Sequence, residues 1–258
     1  MNTSAQGLRV LVTAGAAGIG RALASTFHEA GASVFICDVD PEALSAFHAE
    51  YPQIGTAITD VSVVSQVDEL FRSATSALGG LDVLINNAGI AGPTAKVEEI
   101  SVADWDRTIS VDLNSMFYCT RRAVPLLKAA GGGSIINLSS VAGRLGYPLR
   151  TPYAAAKWAV VGFTKSLAIE LGPSNIRVNA IQPGIVEGER INRVISAKAK
   201  AAGIDFESTL EQLVSTVSLR RMVSAQDIAS MALFLATPAG ASITGQALSV
   251  CGDHGSLA

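Results

Sequence analysis

Charge is scarce in this 258-residue chain: Asp, Glu, Lys and Arg make up 16% of it, and 22 acidic side chains outnumber 19 basic ones for a net charge of −3. Without a basic excess the surface cannot neutralise a run of phosphates, which argues against nucleic acid and anionic membrane as partners. Cysteine is limited to Cys37, Cys119 and Cys251, an odd number with no metal-ligand spacing. We read them as structural thiols and expect no metal site. No window reaches the roughly 18 uncharged apolar residues of a membrane span, and the opening MNTSAQGLRVLV has no charged-then-apolar export pattern. A cytoplasmic location is the expectation. The chain also lacks a Pro/Ser linker, a low-complexity tract and a fixed-period repeat, so one domain over residues 1–258 is expected.

What the chain has is apolar bulk: 49% hydrophobic residues and a mean hydropathy of +0.37, as buried parallel strands under helices need. It also suggests surface hidden in an oligomer. Seven runs read as strands: RVLVTA, SVFICD, IGTAITD, DVLINNAG, SIINLSS, IRVNAIQPG and ALSVCG. Helical stretches lie between them over Gly18–Ala30, Val61–Leu78, Val102–Ala130, Pro152–Leu171 and Ala225–Ala236. This alternation predicts an α/β fold with a doubly wound parallel sheet of about seven strands and helices on both faces. Ligands bind such sheets beyond the carboxyl ends of the strands. That rim would carry Thr13 to Gly20, Asp38, Asp60, Asn86 to Gly89, Ser139 and Ser140, and Pro183 and Gly184.

In VLVTAGAAGIG, a strand runs into Gly15, Gly18 and Gly20 separated by alanines, then into a helix. Small residues there let backbone N–H groups approach a pyrophosphate, although a Gly/Ala corner also serves tight packing alone. Asp38 ends the next strand 18 residues after Gly20, about where a carboxylate reaches adenosine ribose hydroxyls. It would repel a 2′-phosphate, and Ala17, Val39 and Asp40 offer no cation. NAD is therefore expected rather than NADP.

Tyr153 and Lys157 in TPYAAAKWAV are one helical turn apart on one face, with Thr151 as a plausible N-cap and Pro152 at the first helical position. An ammonium beside a phenol favours the phenolate and suits it to proton exchange near neutral pH; alone, such a pair is usually ordinary packing. Here it follows Ser140 by thirteen residues and NNAG at Asn86 to Gly89. With the Gly-rich turn, Asp38, TDV at Thr59 to Val61 and QPG at Gln182 to Gly184, the set closely resembles the short-chain dehydrogenase/reductase family, from Arg9 to about Gly252.

That resemblance implies a Rossmann-type fold and NAD(P)-dependent hydride transfer between an alcohol and a carbonyl. It makes Tyr153 the general acid/base, gives Lys157 the tasks of favouring the phenolate and holding the nicotinamide ribose, and has Ser140 hydrogen-bond the reacting oxygen. Thr13, Gly15, Ala17, Gly18, Ile19 and Gly20 would form the phosphate turn, with Asp38 on the ribose. Asp60 and Val61 would meet the adenine, Asn87, Ala88 and Gly89 the cofactor's ribose side, and Pro183, Gly184 and Val186 the nicotinamide. Three positions depart from the family pattern. Ala14 replaces the first Gly of the turn, and Gly15 is expected to take up the sharp bend. Asp112 in ISVDLNSMF stands where the family has a catalytic Asn that bends its helix and holds a water through its carbonyl. Asn114, two residues on, is the other candidate for that role. Gly188 replaces a Thr after Pro-Gly.

Residues 187–222 lie where the family builds its substrate lid. Charges there read as a solvated helix or as substrate contacts. Arg190 in that segment, and Arg144 and Arg150 between Ser140 and Tyr153, could meet an anionic group. The expected substrate is a small polar or anionic secondary alcohol: a hydroxy acid, sugar acid or polyol. The resemblance also implies a homotetramer, through the apolar segments Trp105–Leu127 and Trp158–Leu171 and the terminal ALSVCGDHGSLA. An NADP-dependent carbonyl or 3-oxoacyl reductase is the alternative on the same fold, and a non-catalytic NAD-binding sensor the alternative of another class.

Overall fold

The computed structural model describes residues 4–255 and Leu257. Strand β1 (Arg9–Thr13) is the hub of a seven-stranded sheet whose paired strands are all parallel. Its neighbours are β2 (Ser33–Asp38) and β4 (Val83–Asn86); β3 (Gly55–Ile58) edges one side, and β5 (Gly133–Leu138), β6 (Ile176–Pro183) and β7 (Ala247–Val250) follow on the other. The order is thus β3-β2-β1-β4-β5-β6-β7, with the reversal between β1 and β4. The expected seven-strand, doubly wound sheet is the one observed.

Side chains alternate across a strand, and β1 divides the core accordingly. Val10 and Val12 face Leu23 and Phe27 of α1 (Gly18–Glu29) and Ile228 and Ala232 of α9 (Ala225–Ala236). Leu11 faces Leu70 and Phe71 of α3 (Val64–Leu78) and Ala123 and Leu127 of α5 (Ser115–Ala129). Helices cover both faces, and the strand ends form one rim.

Local chemistry explains where the helices differ from expectation. The helix expected to begin at Val61 begins at Val64, because Asp60 takes the Ser62 N–H at 2.9 Å and makes a turn of those residues. Helix α2 (Pro41–Glu50), which periodicity did not reveal, starts at Pro41 after Asp40 accepts the Ala43 N–H at 3.0 Å. The long helix expected over 102–130 is α4 (Val102–Ile109) and α5, joined by a π-helical turn at Ser110–Asn114. Helix α6 (Thr151–Leu171) takes Thr151 as its first residue rather than as its cap.

The segment after β6 forms α7 (Glu189–Ala202) and α8 (Phe206–Ser215). Asp205 caps α8 by accepting the Ser208 N–H at 2.8 Å. Cys37, Cys119 and Cys251 are buried free thiols; burial in apolar surroundings pushes Cys37 up to about 12 and raises Cys119 as well. Among the described residues no helix is long and apolar enough to cross a membrane, and no cluster of His, Cys, Asp or Glu has metal-binding geometry.

Candidate active site

The turn after β1 is closed from the neighbouring strand. Thr13 Oγ1 accepts the N–H groups of Asn87 and Ala88, each at 3.0 Å, and Asn87 Nδ2 donates to the carbonyls of Thr13 and Ala14 at 2.9 and 3.0 Å. The sharp bend falls on Ala14 itself, at φ +51°, and not on Gly15 as expected. A methyl is tolerated there at a modest cost. Gly15 is held by crowding instead, since a Cβ on it would lie 2.6 Å from Ile36 Cβ. Gly20 is tighter still: its Cβ would fall 1.9 Å from the Ala14 carbonyl oxygen.

Helix α1 therefore starts against the strand ends with no side-chain cap at Ala17 and no acidic residue in its first turn. An uncapped helix N-terminus presents unsatisfied N–H groups and a partial positive charge, and a Cβ on Gly18 would meet nothing within 4 Å. These features fit a pyrophosphate. Asp38 stands beside the turn, accepting the N–H groups of Ala16 at 3.2 Å, Val39 at 2.8 Å and Asp40 at 3.3 Å. Arg21, the first cation of α1, is turned away to Glu50 and lies over the rings of Phe47 and Tyr51. At the next strand exit, Asp60 accepts from Ser62 and pairs with Arg107 at 3.3 Å. Burial pushes its carboxyl up, but those bonds and the guanidinium outweigh burial and hold it below the usual range. Val61 beside it is buried.

Helix α6 brings Tyr153 and Lys157 under the exit of β5. Lys157 Nζ donates to the Leu138 carbonyl at 3.0 Å and lies 5.5 Å from the centre of the Tyr153 ring. Ser139 Oγ donates to the Lys157 carbonyl at 2.8 Å, and Ser140 Oγ accepts the Ala142 N–H at 3.1 Å. The π-helical turn carries Asp112 to the other side of the lysine. Its Oδ1 accepts the Ile90 N–H at 2.6 Å, and its Oδ2 lies 3.8 Å from Lys157 Nζ. Of the two residues considered for that place, Asp112 reaches the lysine. It is wholly buried, and its Oδ2 has no hydrogen-bond partner among the described residues. Gly89 completes the contact, since a Cβ on it would lie 3.3 Å from both Asp112 Oδ1 and Lys157 Nζ.

A small cleft joins these parts. Ile19 lines it from the start of α1, Asn87 from the exit of β4, Ser139 and Ser140 from just after β5, Tyr153 and Lys157 from α6, Pro183 from the end of β6, and Gly184 and Val186 from beyond it. Gly184 is pinned by donating to the Val250 carbonyl at 3.0 Å, and Val186 bridges to Val223. Gly188 bears no hydroxyl and precedes α7 with φ +135°.

The arginines separate. Arg144 turns toward the C-terminal segment, its Nη2 donating to the His254 carbonyl at 3.0 Å and to Cys251 Sγ at 3.5 Å; neither it nor Arg150 is in the wall of this cleft. The expected meeting with substrate finds no support in this cleft: Nη2 is held by the C-terminal segment, while Nε is buried with no hydrogen-bond partner among the described residues. Arg150 is buried beside the chemistry, its guanidinium 5.2 Å from the Tyr153 ring centre and 5.1 Å from that of Tyr147. The side chain of Arg190 lies outside the described residues. Sequence reasoning placed Ser139 on the rim without a role of its own, and missed Ile191, Tyr147 and the carbonyl of Leu138. A backbone carbonyl leaves no mark in side-chain spelling.

A Ser, Tyr and Lys converging on one cleft under an uncapped Gly-rich helix start, at the reversal of a parallel sheet, is the arrangement the sequence resemblance called for. The chain belongs to the short-chain dehydrogenase/reductase family. A family model described as enoyl-(acyl carrier protein) reductase matches residues 14–255. The D-β-hydroxybutyrate dehydrogenase of Rhizobium meliloti is 33% identical over 253 residues, covering 94% of this chain and 96% of that protein. The 3-oxoacyl-(acyl-carrier-protein) reductase of Thermotoga maritima is 34% identical over 251 residues, covering 96% and 97%. The crystal structure of an NAD+-bound xylitol dehydrogenase superimposes with a TM-score of 0.92 at 28% identity, covering 96% of this chain and 98% of that one. Members of this family are oxidoreductases acting between alcohols and ketones with a nicotinamide cofactor, and that much holds for this chain.

Proposed function

We propose that the protein is an NAD-dependent dehydrogenase that interconverts a small polar secondary alcohol and its ketone. The observation that carries the cofactor choice is Asp38, whose carboxylate accepts the Ala16 N–H of the phosphate turn. A second negative charge, as on a 2′-phosphate, would be repelled there. Thr13, Gly15, Ala17, Gly18, Ile19 and Gly20 would hold the pyrophosphate, Asp38 the adenosine ribose, and Asp60 and Val61 the adenine. Asn87, Ala88 and Gly89 would hold the second ribose together with Tyr153 and Lys157, and Pro183, Gly184 and Val186 the nicotinamide.

When bound, the nicotinamide supplies the hydride acceptor or donor. The protein's own share is the proton. In the oxidative direction Tyr153, as phenolate, takes the proton of the substrate hydroxyl, while Ser140 hydrogen-bonds the same oxygen and fixes its orientation. Lys157 keeps a positive charge next to the phenolate. Asp112 anchors the NNAG loop through the Ile90 N–H and faces the lysine as a positioning group. Residues 187–222 act as a lid on one 1–258 domain. The half-exposed Trp158 and Phe117 and the exposed Ile169, on α6 and α5, support a homotetramer that covers these helices. A cytoplasmic location and small-molecule partners complete the reading.

The test is a paired titration with NAD and NADP, followed by a turnover screen over polyols, hydroxy acids and sugar acids. We expect NAD to bind at least tenfold more tightly and Asp38→Ser to narrow that ratio. Tighter binding of NADP would favour the ketoreductase reading, which the relative from Thermotoga maritima supports. NAD binding with no turnover of any alcohol or ketone would leave the sensor.

A further inference from the structure

Arg150 is 2% exposed, yet its guanidinium is only partly satisfied. Nη2 donates to the Ala91 carbonyl at 2.5 Å, while Nε and Nη1 are buried with no hydrogen-bond partner among the described residues. The flat faces of the Tyr147 and Tyr153 rings offset part of the desolvation. They cannot replace two missing acceptors.

A second cation stands on the same aromatic ring. Lys198 Nζ lies 4.8 Å from the Tyr147 ring centre and donates to the Leu257 carbonyl at 3.2 Å. Burial lowers the proton affinity of its amine, and the Arg150 charge lowers it further, so the two cations feel each other. Neither belongs to an ion pair among the described residues. Lys198 also lines a cleft of about 280 Å³ between α7, α8 and the Pro148–Leu149 loop, whose other walls include Ala201, Ile204 and Leu213. Two buried or half-buried positive charges and two unused donors are therefore grouped around the Tyr147 ring next to Tyr153, and Lys198 joins them to a cavity whose wall reaches Leu149, the chain neighbour of Arg150.

We propose that Arg150, assisted by Lys198, binds the carboxylate of the substrate, which makes the substrate a hydroxy carboxylate rather than a neutral polyol. The inference rests on the dehydrogenase reading and narrows it. A carboxylate accepts in pairs, matching Nε and Nη1 of one guanidinium edge, and the Lys198 amine on the Tyr147 ring adds a second point of attraction from the lid. Arg150 is then a specificity-determining residue: it orients the carbinol at Tyr153 and Ser140 by holding the other end.

The experiment compares 3-hydroxybutyrate, as a probe of the class, with its uncharged amide in wild type, Arg150→Met, Arg150→Lys and Lys198→Met. Steady-state turnover is measured with NAD, and binding of each probe to the NAD-loaded protein by calorimetry. We expect wild type to favour the acid by at least about a hundredfold in kcat/KM, mainly through KM. Arg150→Met should remove most of that preference and the calorimetric signal, lowering kcat/KM for the acid at least about tenfold more than for the amide, while leaving NAD affinity within about twofold. Arg150→Lys should restore part of the preference, and Lys198→Met should cost about tenfold on the acid alone. Equal use of acid and amide by wild type would overturn the carboxylate site and leave the dehydrogenase intact. So would a loss in Arg150→Met that is the same for both probes, since that would make the arginine a support for Tyr153. Absence of turnover with either probe, alongside calorimetric binding of the acid that depends on Arg150, would count against the dehydrogenase reading and not against the anion site.

Discussion

The floor of the site and the segment proposed as its lid are built on opposite terms. In the floor almost every polar group is tied to backbone from another element: Asn87 to Thr13 and Ala14, Lys157 to Leu138, Asp112 to Ile90, and Ser139 to Lys157. Behind it, Asn86 donates to Asn137 at 2.9 Å and Asn137 to Thr164 at 2.9 Å, so β4, β5 and α6 are joined by one buried chain of amides and hydroxyls. In that segment, α7 buries Val194, Ile195 and Ala199 but leaves Arg193 and Lys200 in solvent, and Lys198 donates to the Leu257 carbonyl. A floor of interlocked polar groups keeps the reacting atoms in register. The proposed lid is anchored at its far end, where Ser218 and Leu219 donate to the carbonyls of Asp253 and Gly252, while α7 itself rests on one apolar stripe and is the part that local opening would cost least.

The contrast is open to direct attack. The largest effect is expected from Tyr153→Phe, which removes the proton acceptor and should lower turnover by about 10²–10⁴-fold with the fold unchanged; circular dichroism and steady-state rates check it. Next comes Asp112→Ala. It strips the Ile90 N–H of its acceptor and leaves Lys157 without its buried counter-charge, at a cost of about 3 kcal/mol in urea unfolding. Asp112→Asn, which keeps the bond to Ile90, should cost clearly less. A value for Asp112→Ala within the scatter of surface substitutions would mean that the floor is not the interlocked unit described. Smaller still, Ala14→Gly relieves a left-handed alanine and should stabilise by at most about 1 kcal/mol, the gain being offset by a more flexible unfolded chain. At the far end, Arg193→Ala and Lys200→Ala on the lid should move stability by no more than about 0.5 kcal/mol. Larger losses there would show the lid packed as firmly as the floor.

The alternation of strands and helices was plain in the chain because buried parallel strands need unbroken β-branched runs and their covering helices need an apolar stripe, and both periods are local. Asp38 and the YAAAK pair were legible for the same reason, since each depends on a spacing along one element. Helix α2 escaped notice because it buries only Leu44 and Phe47 and owes its start to a capping aspartate. Arg144 and Arg150 looked alike in sequence, six residues apart in one loop. Only packing separated them, giving one the His254 carbonyl and the other two tyrosine rings.

By itself the sequence determined the family, the sheet and the residues proposed to carry the proton, because these are written in local periodicity and in residue types at set distances. The tertiary structure decided what each departure from the pattern does. Whether Ala14 or Gly15 takes the bend depends on Ile36 across the sheet; whether Asp112 or Asn114 meets the lysine depends on a π-helical turn. Which arginine lies against the tyrosine rings, and which is held by the C-terminal segment, depends on how those segments pack. These are contacts between residues far apart in the chain, and steric exclusion and the need to satisfy buried charge select among them only once the elements are packed.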